Sequence, residues 1–244
     1  MIVKALVEKG GFASEEVWVR FGVESRSDDG PALKATRGLS TRDDLAADIE
    51  AIRKASSPED ALWVIAMGHA HFDGRRASWN LPGPDLSDMA FAKLFDGIAA
   101  REQVFFVTTQ ASGFFLKPLA RTGRIAISAT EADQEVNETR FPLALADMLI
   151  GPPADADRDK DGALSVFDLY LATIADVMRR YAEDELIATE HAQLDDNGDG
   201  HGSEVQLRFL PPESGGQAEE AVPKGKAKED KDEARPTEAK EPTL

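Results

Sequence analysis

Cysteine is absent from the 244 residues. Disulfides, thiolate metal sites and thiol catalysis are therefore excluded. Positive charge is also short, with 28 Lys and Arg against 45 Asp and Glu for a net −17. Nucleic acid is excluded as a main partner, because phosphate binding needs clustered Lys and Arg. No apolar run approaches the roughly 18 residues of a bilayer-crossing helix, so no membrane span is expected. The opening "MIVKALVEKGGFASEE" lacks the long apolar stretch and small-residue cleavage site of a secretory leader. A cysteine-free chain suits either redox environment, which leaves the compartment open.

What is present is a chain that can fold. At 42% hydrophobic, it can bury a sizeable core, and its length fits one domain plus a tail. The segment from Pro211 onward has almost no aliphatic or aromatic residues and is rich in Lys, Glu, Ala and Pro. It cannot bury enough apolar area to offset its ordering entropy, so residues 212–244 are expected to form a disordered charged tail. From Glu213 that tail holds 9 acids and 6 bases, so most of the negative charge belongs to the body.

The body alternates apolar β-rich runs with helical patterns. The runs are "VWVRFGV" (Val17–Val23), "ALWVIAMGH" (Ala61–His69), "QVFFVTT" and "RIAISAT" (Arg124–Thr130). Their near-continuous apolar character suits a mostly parallel sheet covered on both faces. A helix starts at the Thr41/Asp44 cap, with Leu45, Ile49 and Ile52 on one face. Asp85 is expected to cap a second helix carrying Phe91, Leu94, Phe95 and Ile98. A third spans Ser165 to Tyr181, with Phe167, Tyr170, Ile174, Val177 and Tyr181 at helical spacing. This alternation predicts a three-layer α/β domain over residues 1–150, with residues 151–211 as an extension packed on it.

In open parallel sheets chemistry gathers at the carboxyl ends of the strands. Two such ends stand out, "AMGHAHFDG" and "VTTQASG". Their order and spacing resemble the caspase and legumain peptidases, in which one strand ends in a Gly-His pair and the next in the catalytic cysteine. Gly68-His69-Ala70 matches the first element and Ser112-Gly113 the Ser-Gly pair that follows the nucleophile in legumain. "IAISATEADQEVNETRF" resembles the following legumain strand and pocket loop. The resemblance spans roughly Val17 to Ile150 and places the cysteine position on Gln110.

That substitution matters chemically. A carboxamide cannot attack a carbonyl, because its nitrogen lone pair is delocalised and it has no acidic proton to lose. Ala70 stands where the family has a glycine lining the oxyanion hole. The resemblance thus implies a catalytically inactive, pseudo-peptidase domain that binds a peptide or protein. His69 would be its vestigial dyad histidine. Two alternatives stay open: an active hydrolase using Ser112, or Thr108 or Thr109, with His69, and a doubly wound α/β calcium-binding domain unrelated to legumain. A zinc reading of His69, His71 and Asp73 is weak, with three ligands inside five residues and no remote partner. His71 is read as a polar loop residue.

The resemblance also implies a first strand lying between Val17–Val23 and Ala61–Met67. The chain instead opens on a helix-like segment, "IVKALVEKGG". The expectation is that upstream sequence supplies the strand, or that its two neighbours pair directly.

The sharpest spacing is "DRDKDGALSVFD", which matches a twelve-residue EF-hand loop. Asp157, Asp159, Asp161, Ser165 and Asp168 occupy the side-chain ligand places, Gly162 the tight turn, and Ala163 offers its carbonyl. Ca2+ is therefore expected here, though Asp168 is one methylene shorter than the usual Glu and "GPPADA" precludes an entering helix. A second candidate, "DDNGDGHGSE", repeats the pattern with Asp195, Asn197, Asp199, Gly200 and His201. It has Gly202 in the apolar place and Gln206 at the twelfth position.

Overall fold

The structure, a computed structural model, describes residues 1–22, 36–133, 135–158 and 160–204, all within one unit, Met1–Leu207. Val23 of the first expected strand, Asp159, Gln206 and the expected tail lie outside the described residues.

The central sheet has the order β3-β7-β8-β9, from β3 (Ala61–Ala66), β7 (Glu102–Val107), β8 (Arg124–Ser128) and β9 (Gln193–Asp195). β3, β7 and β8 run parallel, while β9 joins β8 antiparallel. Alternation along the strands feeds two separate cores. Phe105 and Val107 pack with Ile49, Phe91 and Leu119 on one face. Val104 and Phe106 pack with Leu145, Tyr170 and Val177 on the other. Both faces of β7 are closed to solvent, and each buried Phe contributes about 1.5–3 kcal/mol.

Helices α2 (Arg42–Ala55), α3 (Asp88–Leu94) and α4 (Leu116–Leu119) cover the first face. Helices α5 (Phe141–Ile150) and α6 (Val166–Glu183) cover the second, with α1 (Ile2–Glu8) against α5. A three-layer α/β arrangement results. Thr41 caps α2, its hydroxyl oxygen accepting from Asp44 N at 3.2 Å. The cap of α3 differs from expectation. Ser87 accepts from Ala90 N at 3.2 Å, and Asp85 instead accepts from Leu81 N inside the preceding turn. That helix also ends at Leu94, so Phe95 and Ile98 are buried from the segment beyond it.

Two smaller sheets flank the main one. β4 (Ala70–Phe72), β5 (Ala77–Trp79) and β6 (Leu86–Ser87) form an antiparallel sheet. β1 (Val19–Phe21) and β2 (Thr36–Leu39) form a parallel pair. Arg20 fastens this pair to α2, with its guanidinium donating to both Asp48 oxygens at 2.6 and 3.0 Å and to Leu39 O at 3.0 Å. Burial raises the Asp48 carboxyl, but Arg20 and Arg37 outweigh it and hold the pKa below its ordinary value. β1 and β3 are not hydrogen-bonded to each other, so direct pairing of those two runs does not occur.

Candidate functional site

Because β3 and β7 are parallel neighbours in register from Ala61↔Glu102 to Ala66↔Val107, the segments leaving them emerge side by side. Gly68, at φ +121°, turns the chain out of β3 and leaves His69 exposed. The other segment turns at Ala111, a buried non-glycine residue at φ 51°. That left-handed conformation costs about 1–2 kcal/mol for an L-residue, and here it directs Gln110 towards His69.

Gln110 bridges both halves of the cleft. Its Nε2 lies 3.1 Å from His69 Nδ1, and its Oε1 accepts from Ala70 N at 3.3 Å. The orientation is settled by donor and acceptor types: a flipped amide would set its NH2 against the Ala70 N–H. Nε2 can only donate, so Nδ1 of His69 is the acceptor and its ring proton sits on Nε2. Gln110 is itself almost wholly buried.

Ser112 has other partners. It is fully buried, and its Oγ accepts from Ala129 N at 3.0 Å and Thr130 N at 3.1 Å while pairing with Thr130 Oγ1 at 3.1 Å. These bonds tie the turn to the end of β8 rather than to His69. Gly113 completes the closure, since a Cβ there would meet Glu131 C at 2.3 Å. Thr108 Oγ1 bonds Ala66 O at 3.1 Å, and Thr109 Oγ1 is buried with no partner among the described residues.

His71 lies in strand β4, not in a loop, and its Nδ1 pairs with Asn80 Oδ1 at 2.8 Å. Asp73 accepts from Arg75 N and Arg76 N at 2.8 Å each, and the Arg76 and Arg75 amides hold its pKa below the usual carboxylate value. His69, His71 and Asp73 are thus engaged separately.

Beside Gln110, the 131–135 loop carries an acidic wall. Ala111 N donates to Glu135 O at 3.1 Å, while the Glu135 carboxylate accepts from Glu131 N at 2.8 Å and His191 N at 3.0 Å and pairs with the His191 ring. The hydrogen bond to Glu135 raises the His191 pKa against the opposing effect of burial. Glu131 is raised by burial, then by the nearby Glu135, Asp133 and Glu204 charges. The partners Glu135 and His191 are 56 residues apart, and no local pattern announces them.

The two acidic loops share one architecture. In the first, Asp157 accepts from Lys160 N at 2.8 Å and Gly162 N at 2.9 Å, and Asp161 from Ala163 N at 2.8 Å. In the second, Asp195 accepts from Gly198 N at 2.7 Å and Gly200 N at 2.8 Å, and Asp199 from His201 N at 2.8 Å. Positive φ falls at matching places, 60° and 88° at Lys160 and Gly162, 74° and 80° at Gly198 and Gly200. Asn197 joins the second loop by accepting from Asp199 N at 2.9 Å.

The loops differ in what surrounds them. Asp168 closes the first as the N3 residue of the α6 capping box, accepting from Ser165 N at 3.1 Å and Ser165 Oγ at 2.7 Å. Its Oδ1 also accepts from Arg158 N at 3.3 Å, and these bonds, led by the Ser165 hydroxyl, lower its pKa. The second loop is wedged against the chain between α4 and β8, where a Cβ on Gly198 would meet Arg121 O at 2.3 Å. Among the described residues, no three His, Cys, Asp or Glu side chains converge on a metal-sized point, and Asp159 is outside them.

No protein-family model matches the chain, and no curated protein matches it either.

Proposed function

We propose that this chain is a legumain/caspase-like domain whose peptidase cleft is closed by glutamine, and that it works as a non-catalytic peptide- or protein-binding module. The observation that carries this reading is the Gln110 carboxamide, bonded at once to His69 Nδ1 and Ala70 N at the ends of adjacent parallel strands. An acyl-transfer site needs a nucleophile beside a base and N–H donors for the oxyanion. Gln110 stands between both requirements, holding the base by one amide atom and the donor by the other. The commitment of Ser112 to Ala129 and Thr130 weighs against the hydroxyl alternative.

Calcium belongs to the same proposal. Asp157, Asp159, Asp161, Ser165, Asp168 and the Ala163 carbonyl form an all-oxygen set suited to a hard cation. A cation there would relieve carboxylate repulsion and stabilise the loop that opens α6, a helix built into the second core. The second loop, with Asp195, Asn197, Asp199 and the His201 carbonyl, is a lesser candidate.

The absence of cysteine makes a clean test available. In Gln110→Cys the new thiol is the single one in the chain, so alkylation by iodoacetamide reports on that position alone. A thiol beside a histidine at a peptidase-like strand end reacts as a thiolate near neutral pH, whereas a free thiol has a pKa of about 8.5. Alkylation at pH 6.5 should be at least about tenfold faster than in the Gln110→Cys, His69→Ala double variant. Equal rates in the two would remove the legumain-like reading of the cleft.

A further inference from the structure

The largest cavity in the described residues, 1420 Å³, runs along the outer edge of β3. Its walls are Ile49 and Phe91 of the first helical layer and Leu6 and Leu149 of the second; Arg20 of β1 faces it across the gap. β3 is paired only with β7. This leaves a strand of central-sheet composition at an edge, with Leu62, Trp63, Val64 and Ile65 all half-buried where the neighbouring β7 is sealed.

Backbone alternation identifies the free groups. Asp60 O and Ala66 O accept from Arg101 N and Thr108 N on the β7 side. Even-numbered residues therefore face β7, and Ala61, Trp63 and Ile65 direct their N–H and C=O into the cavity. Met67 O, next in that series, is taken by Trp79 Nε1 at 3.3 Å. A strand laid there gains a ladder with these residues, and its alternate side chains extend the two cores already formed by Leu62 and Val64 and by Trp63 and Ile65.

From this we infer that the slot receives a parallel, apolar β-strand from the same polypeptide, joined directly to the N-terminal end of α1. The connection rule selects that source. α1 lines the slot through Ala5 and Leu6 and leads on to β1, across the gap from β3. A strand in the gap, parallel to β1 and preceding α1, completes a strand–helix–strand unit. Other parts of the chain fit less well. Residues 23–35 carry Glu24, Arg26, Asp28 and Asp29, unsuited to a strand covered on both faces. The apolar run Val205–Leu210 follows Ser203, which is bridged to Leu194 of β9 at the opposite edge of the sheet. The slot lies four strand spacings from β9, about 19 Å, which a six-residue run would use up in crossing.

The test is amide exchange at Trp63 and Ile65. In the 244-residue chain these amides should exchange far faster than those of Phe105 and Phe106. Fusing a strand of about six Val and Ile residues through a short Gly-Asp turn ahead of Met1 should slow them about a hundredfold and raise Tm. A fusion with Asp at alternate strand positions should do neither. Trp63 and Ile65 already protected in the unextended monomer would mean that another part of the chain fills the slot and overturn the inference. Protection confined to a dimer would give the slot to a second copy, and equal protection by the detached strand peptide would give it to a partner; each also overturns it. A folded Val/Ile fusion without slower exchange would reject the strand itself.

Discussion

Gln110 Nε2 donates to His69 Nδ1 at 3.1 Å while the Oε1 of the same amide accepts from Ala70 N at 3.3 Å. One side chain therefore satisfies the two groups that a hydrolytic site would keep available for reaction.

Removing that amide should cost stability. Gln110→Ala leaves the buried Ala70 N–H without its partner, a loss of about 1–3 kcal/mol. Tm should fall by roughly 2–4 °C for each kcal/mol in a chain of this size. Calorimetry of Gln110→Ala beside the parent measures it, and an unchanged Tm would mean that the bridge contributes nothing.

Ser112→Ala separates structure from chemistry in the same turn. The hydroxyl bonds two amides and Thr130, all buried, so the variant should lose about 2–4 kcal/mol in urea unfolding. A fully stable Ser112→Ala would show that these bonds are dispensable and reopen a chemical role for the hydroxyl.

The two acidic loops should respond differently to calcium. Asp157→Ala should abolish the Tm rise that calcium gives over chelator, because it removes the first ligand of the exposed loop. Asp195→Ala should lower Tm equally in both conditions, since Asp195 is 2% exposed and accepts from Gly198, Asp199 and Gly200. If calcium leaves the parent Tm unchanged, neither loop is a stabilising site.

The His191–Glu135 pair predicts a pH dependence. The folded-state pKa of His191 is raised, chiefly by its hydrogen bond to Glu135. Its contribution is fully present below the unfolded value of about 6.5 and is lost as pH rises through the higher folded value. The His191 side chain is 43% exposed, so screening limits the effect to about 1 kcal/mol or less. Urea midpoints from about pH 5.5 to 9 should fall more steeply for the parent than for His191→Gln. Parallel curves would contradict the pairing.

Local signals made much of this fold legible. The apolar runs around Trp63, Phe105 and Ile127 became β3, β7 and β8, and the Thr41 and Ser165 caps opened α2 and α6. The spacing of Asp157, Gly162 and Asp168 and its repeat at Asp195 revealed loops that share one hydrogen-bond pattern. What stayed hidden depends on distance in sequence. β9 is only Gln193–Asp195, with two polar residues, and becomes a strand by pairing with β8. The α3 cap was ambiguous because Asp85 and Ser87 are both good capping residues, and the turn claimed the aspartate for Leu81. The sequence placed Gln110 near His69, but the grip on Ala70 needed the Ala111 turn, which no residue preference announces.

The most direct measurement is hydrolysis of a panel of Asn- and Asp-containing fluorogenic peptides in calcium by the parent and by His69→Ala, side by side. The account predicts identical traces at the background rate, because Gln110 supplies no nucleophile and occupies the groups around it. Turnover by the parent that disappears in His69→Ala would show a working base in the cleft and contradict the account.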